Sequence, residues 1–128
     1  MPARSIMEAE EAVEQSGGIT VESGYVRASV HGTSRVSFRV DFGETPVDQV
    51  QCRIAYASSR GASAEVTLHL DSPTNPPISS LSVGERGQGG WQQVPGEVGY
   101  VTGEHTVHVV FAPGVGTDLL ALDQLTFR

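Results

Sequence analysis

Apolar and polar residues alternate with a period of two through much of this chain. From Arg35 to Phe42, the residues Val36, Phe38, Val40 and Phe42 are interleaved with Arg35, Ser37, Arg39 and Asp41, the pattern of a strand with one face in a core and the other in water. The same alternation runs through Gln49 to Ala57. It recurs in Glu65 to Leu70, where Val66, Leu68 and Leu70 face one way and Glu65, Thr67 and His69 the other. Further strands are predicted over Ile19 to Glu22, Tyr25 to Ser29, Ile78 to Val83, Gln92 to Val94, His105 to Phe111 and Leu119 to Phe127. Short strands at regular spacing predict an all-β sandwich. Only Glu8 to Gln15 could be helical, for about two turns before Ser16-Gly17-Gly18 stops it, and a short edge strand fits the same residues equally well.

Composition narrows this picture. The 128 residues suit one domain, spanning 1–128, with a single core. Fifteen glycines and seven prolines are spread along the chain and leave no room for a long helix. Asp71 to Pro77, Gly84 to Gly90 and Ala112 to Thr117 read as loops, and loops at a sandwich end are where binding residues tend to be carried. The formal charge is −7 and the eight cationic residues are scattered arginines, so nucleic acid is not an expected partner. No run approaches the roughly 18 to 20 apolar residues of a membrane span, and the N-terminus lacks the apolar core of a secretory signal. Cys52, the only cysteine, shares its parity with Val50, Ile54 and Tyr56 and is expected to be a buried, inert thiol.

The spacings that catalysis needs are missing. There is no nucleophile elbow, no P-loop and no dinucleotide fingerprint; Gly114-Val115-Gly116 precedes a strand and reads as a turn. His105 and His108 fall on opposite faces of a strand, and His31 and His69 have no partner at ligand spacing. No acid is framed by aromatic subsites as a glycosidase cleft demands. The chain is expected not to be an enzyme.

Three stretches together resemble the family 6 carbohydrate-binding modules. Met7-Glu8-Ala9-Glu10 with Gly18-Ile19-Thr20-Val21-Glu22 resembles that family's opening, and Gly24-Tyr25-Val26 followed by the strand to Gly43 is similar to its next landmark. Leu70-Asp71-Ser72-Pro73-Thr74, Gly89-Gly90-Trp91-Gln92, Gly103 to Val107 and Leu122-Asp123 follow in the family's order. The resemblance implies a jelly-roll sandwich of two antiparallel sheets, which agrees with the strand count. It implies a structural calcium held by Glu8, Glu10 and Asp123, and hard carboxylate oxygens near both termini suit that ion. It also implies a cleft in which Tyr25 and Trp91 sandwich a sugar ring while Glu22 accepts hydrogen bonds from its hydroxyls.

The sequence departs from the family pattern in two places. Ala121 stands where the family's N-L-D-W motif has asparagine, and alanine offers neither donor nor acceptor. Ser34-Arg35 stands where the family has Asp-Trp. Asp118, Thr117 or Gln92 are candidate substitutes around the cleft, Arg35 beside it would suit an acidic sugar, and binding on the concave sheet face is a further possibility. The expected function is a non-catalytic module that holds an attached or partner polysaccharide-degrading enzyme near its glycan, in a secreted, extracellular protein. The alternative is a structural or protein-interaction sandwich that keeps the scaffold and calcium but not the sugar site; an exposed Trp91 favours the first, a packed one the second.

Overall fold

The computed structural model describes residues 2–58, 63–84 and 90–128. Its strands are β1 (Met7–Glu8), β2 (Glu14–Ser16), β3 (Thr20–Glu22), β4 (Tyr25–Arg27), β5 (Ser34–Asp41), β6 (Val47–Ser58), β7 (Ala64–Leu70), β8 (Pro77–Val83), β9 (Trp91–Val101), β10 (Glu104–Ala112) and β11 (Thr117–Phe127). They form two antiparallel sheets. One is ordered β3-β4-β11-β6-β9, with β1 also on β11; the other is ordered β2-β5-β10-β7-β8. This is the sandwich that the alternation predicts.

The alternating apolar residues of both sheets meet in one core, in which Phe38, Phe42, Tyr56, Phe111 and Phe127 are fully buried. Burying each such side chain stabilises the fold by about 1.5–3 kcal/mol. Cys52 lies in this core as expected, and burial pushes its thiol up to about 12. The N-terminal segment ties the sheets together: the Ala3 N–H donates to Asp41 O at 2.9 Å and Ala3 O accepts from the Phe127 N–H at 2.9 Å.

One segment resolves an alternative that the sequence left open, in favour of the edge strand, and another differs from the sequence expectation. Glu8 to Gln15 is not a helix. A single 3-10 turn at Ala9–Glu11 separates β1 from β2, which forms an edge strand along β5. Met7 and Ala9 are buried against the core, so tertiary packing decides a segment whose propensity is ambivalent. It ends because Gly17 and Gly18 take φ of 81° and 84°, and a Cβ on Gly17 would lie 2.4 Å from Thr33 O.

The difference is in β9, which extends to Val101 although only Gln92 to Val94 reads as strand. Pro95 and Gly96 disguise it. β9 is an edge strand, where a missing N–H is tolerated. A Cβ on Gly96 would lie 2.3 Å from Leu81 Cδ2 of the other sheet, so glycine is needed where the layers approach. Of the predicted loop Gly84 to Gly90, residues 85–89 lie outside the described residues.

Candidate functional site

Register builds the site. Gly24, with φ of 90°, fits the third position of a type II turn that joins β3 to β4 and sets Glu22 directly opposite Tyr25. Val26 enters the core, so Tyr25 and Arg27 face outward. Arg27 pairs with Ala121 of β11, Ala121 with Ala55 of β6, and Ala55 with Trp91 of β9. With Thr20 opposite Arg27, one row, Thr20–Arg27–Ala121–Ala55–Trp91, crosses the outer face of the six-stranded sheet.

Ala121 and Ala55 face outward yet are only 1 % and 3 % exposed, because longer side chains lie over them. The Tyr25 and Trp91 rings meet with centroids 5.4 Å apart and planes at 70°, in edge-to-face contact. Trp91 is 37 % exposed and is not a core residue. A sugar held between two stacked rings needs about 7 to 8 Å between them, two contact distances of 3.5–4.0 Å. The observed pair is closed and presents one joint aromatic surface.

Charged groups rim that surface. The Arg53 guanidinium lies 5.8 Å from the Trp91 ring centroid, within cation–π range, and its Nε is 3.1 Å from Asp123 Oδ2. Nothing in the sequence singled out Arg53 or Arg27. Their proximity to the aromatics depends on which strands pair, and local pattern does not carry that.

The expected acids divide. β6 occupies one edge of β11, so β1 and β4 share the other, end to end, which brings Glu8 near Asp123. The Glu8 carboxyl is held above its ordinary value by burial first, then by the negative charges of Asp123, Glu10 and Glu11. Glu10 Oε2 is buried without a hydrogen-bond partner. Among the described residues no three His, Cys, Asp or Glu side chains are gathered as a metal cage; Asp123 is turned to Arg53 instead.

Asp118 and Thr117 are not beside the aromatic pair. They line an open cavity of about 610 Å3 at the loop end of the sandwich, with Val30, His31, Thr33 and Pro113. Gln92 shares the parity of Val94 and points between the sheets, where its Nε2 is buried and unpartnered. Arg35 corrects the expectation made for it. It lies on the five-stranded sheet, opposite Val110, with the outward parity of Ser37 and Arg39; the arginines near the aromatics are Arg27 and Arg53.

His105 and His108 do face opposite ways. The His108 Nδ1 is 2.8 Å from Ser37 Oγ, while His105 sits between Asp71 Oδ2 at 2.9 Å and Thr102 O at 2.8 Å. Both oxygens beside His105 accept from an N–H, so the geometry favours the charged imidazolium. Its pKa is raised chiefly by the hydrogen bond to Asp71, whose carboxyl is lowered by the same contact.

Comparison with known proteins places this chain among the carbohydrate-binding modules. The profile of the family described as carbohydrate binding module (family 6) matches residues 7–128. The chain is similar to a family 6 module from Clostridium cellulolyticum solved with xylose, at 30% identity and TM-score 0.81, covering 100% of this chain and 99% of that one. It is similar to a β-1,3-glucan-binding module from Bacillus halodurans at 24% identity and TM-score 0.79, covering 99% and 97%. A family 43 arabinoxylan arabinofuranohydrolase from Bacillus subtilis, solved with cellotetraose, matches all of this chain over 28% of its own length, at 23% identity and TM-score 0.83. No curated protein sequence matches the chain.

Proposed function

The chain belongs to the family 6 carbohydrate-binding modules, and we propose that it binds a polysaccharide without chemistry, through the surface formed by Tyr25 and Trp91. The observation that carries this is their contact: β4 and β9 are separated by two intervening strands, yet their rings meet at 5.4 Å on the outside of the sandwich. An outward aromatic pair over a floor of alanines suits the weakly positive C–H face of a pyranose. Glu22, opposite Tyr25 and on its face, accepts hydrogen bonds from sugar hydroxyls. Asp118 lies three residues from Ala121 along β11, about 10 Å, and contacts a longer glycan leaving by the loop end. Affinity is expected near −4 to −8 kcal/mol, about millimolar to micromolar, for a shallow exterior surface.

We extend the reading to a structural calcium held by Glu8, Glu10 and Asp123. The residues fit the group: hard oxygen donors with mutual repulsion, one buried without a partner. Bound there, the ion would offset that repulsion and fix the N-terminal segment to β11. Asp123 would then be shared between the ion and Arg53. The module would serve an attached or partner catalytic domain in a secreted protein by raising local concentration; the hydrolase that contains this fold as about a quarter of its length supports that arrangement. No helix among the described residues is long and apolar enough to cross a membrane.

The test is titration of Trp91, the only tryptophan, by fluorescence against xylo-, gluco-, agaro- and uronic-acid oligosaccharides, with calcium and with a chelator. A saturable change confined to one sugar class supports the glycan reading, and a thermal shift on calcium addition supports the ion. Silence across the panel favours the interaction sandwich instead.

A further inference from the structure

We infer that this surface selects acidic glycans, those carrying a uronate, and that Arg27 is the residue that takes the carboxylate. The inference rests on the glycan reading above and names the substrate class of the same site. Strands are spaced about 4.8 Å apart, so Arg27 and Trp91 stand about 14 Å apart at their Cα atoms, with the covered floor of Ala121 and Ala55 between them. That floor has no side-chain donor or acceptor. Polar recognition must come from the rim.

The rim carries four charges, and they are not equivalent. Arg53 and Asp123 are taken up with each other at 3.1 Å, and Arg53 also covers Trp91. Arg27 is exposed and Glu22 half-buried, and neither has an ion pair or hydrogen bond with any described residue. The two are diagonal neighbours on one face, because Thr20 pairs with Arg27 and Glu22 with Tyr25. An unpaired guanidinium, an unpaired carboxylate and an aromatic surface side by side complement a sugar with a carboxylate, free hydroxyls and an apolar ring face. The planar fork of arginine suits a carboxylate in particular, since two N–H groups can address both oxygens. A neutral sugar would leave Arg27 without a charged partner among the described residues. With a formal charge of −7, the chain as a whole repels polyanions, so selection for an acid must be local.

The experiment is calorimetry on the full chain with neutral xylo-oligosaccharides, the same oligosaccharides bearing glucuronic acid, oligogalacturonates, their carboxyl-reduced forms, and dextran sulfate. The uronate-bearing ligands should bind about tenfold or more tightly than their neutral forms, as a charge-assisted hydrogen-bond pair supplies. That advantage should shrink with added salt. Arg27→Gln should bring acidic and reduced ligands to one affinity, and Arg27→Lys should restore part of the difference; thermal melts confirm that both variants fold. Equal affinity for acidic and neutral forms overturns the inference while leaving the glycan reading in place. So does a uronate preference that survives Arg27→Gln, or equal binding of dextran sulfate. Absence of binding to every ligand overturns the glycan reading and this inference with it.

Discussion

The two outer faces of the sandwich spend their polar side chains in opposite ways. On the five-stranded sheet, Ser37, His108 and His69 face away from the core and are nonetheless buried, His108 to 5 % and His69 to 9 % exposure. Ser37 Oγ pairs with His108 Nδ1 at 2.8 Å. His69 Nδ1 donates to Asn75 O at 2.6 Å, and its Nε2 lies 2.9 Å from Thr67 Oγ1. Most of that face's buried polar groups pair with one another, although His108 Nε2 and Arg35 Nε are buried there without a hydrogen-bond partner among the described residues. On the six-stranded sheet the alanine floor is overlaid by two aromatic rings and rimmed by the Arg53–Asp123 ion pair and by Arg27 and Glu22, which have no partner among the described residues. Polar groups paired with one another add rigidity, whereas a face that leaves donors, acceptors and a flat apolar surface to solvent can exchange water for a ligand. This contrast supports the proposal that glycan binds on the six-stranded face.

Removing the aromatic surface is the largest way to break that contrast. Trp91→Ala should weaken glycan binding by about 2 kcal/mol or more, the scale of a central aromatic contact, while the melting temperature stays close to the parent value. Calorimetry and a thermal melt read the two separately. A variant that binds as before would move the site away from the rings.

The converse substitution acts on stability alone. Ser37→Val removes the partner of His108 Nδ1, and His108 Nε2 is already buried and unpartnered. Leaving a buried group unsatisfied should destabilise the fold by about 1–3 kcal/mol in urea titration, with glycan affinity unchanged. A change in affinity would mean that the five-stranded face also contributes to binding. Ala121→Asn sharpens the comparison from the other side by placing an amide in the floor. It should separate the Tyr25 and Trp91 rings and improve affinity for neutral oligosaccharides by about 0.5–1.5 kcal/mol, one hydrogen bond, measured against the same panel.

The contrast between faces was half legible in the sequence. Alternation located β5 and β7 almost to the residue, because a strand with one dry face writes its parity locally. Parity also put Cys52 in the core and His105 and His108 on opposite sides. It could not say which sheet a strand joins. Arg35 and Arg27 are both outward arginines near a strand end, and only the pairing of β5 with β10 and of β4 with β11 separates them onto different faces. Asp123 shows the same limit: it lies at the register shift between Leu122 and Gln124, so its approach to Arg53 was not readable from alternation. The aromatics and Glu22 were singled out through the family's motifs, whereas the closed contact of the rings was not readable there.

The smallest expected effect lies far from both outer faces, at the pair of Asp71 and His105. Asp71 is held at φ of 67° where the loop leaves β7, and its carboxylate also accepts from the Thr106 N–H at 3.3 Å. The pKa of His105 is raised in the fold, so its contribution is fully present below the unfolded value of about 6.5 and is lost as pH rises through the folded one. That of Asp71 is lowered, so its contribution is present above about 3.8 and is lost as pH falls through its folded value. The pair therefore stabilises most between those limits. The Asp71 side chain is 57% exposed, and solvent screening confines the effect to about 0–1 kcal/mol. His105→Ala should flatten the decline in melting temperature expected of the parent as pH rises above about 6.5, while glycan binding at fixed pH stays the same. A parent and variant that decline in parallel would show that the pH dependence arises elsewhere, and the acids around Glu8 would be the next groups to substitute.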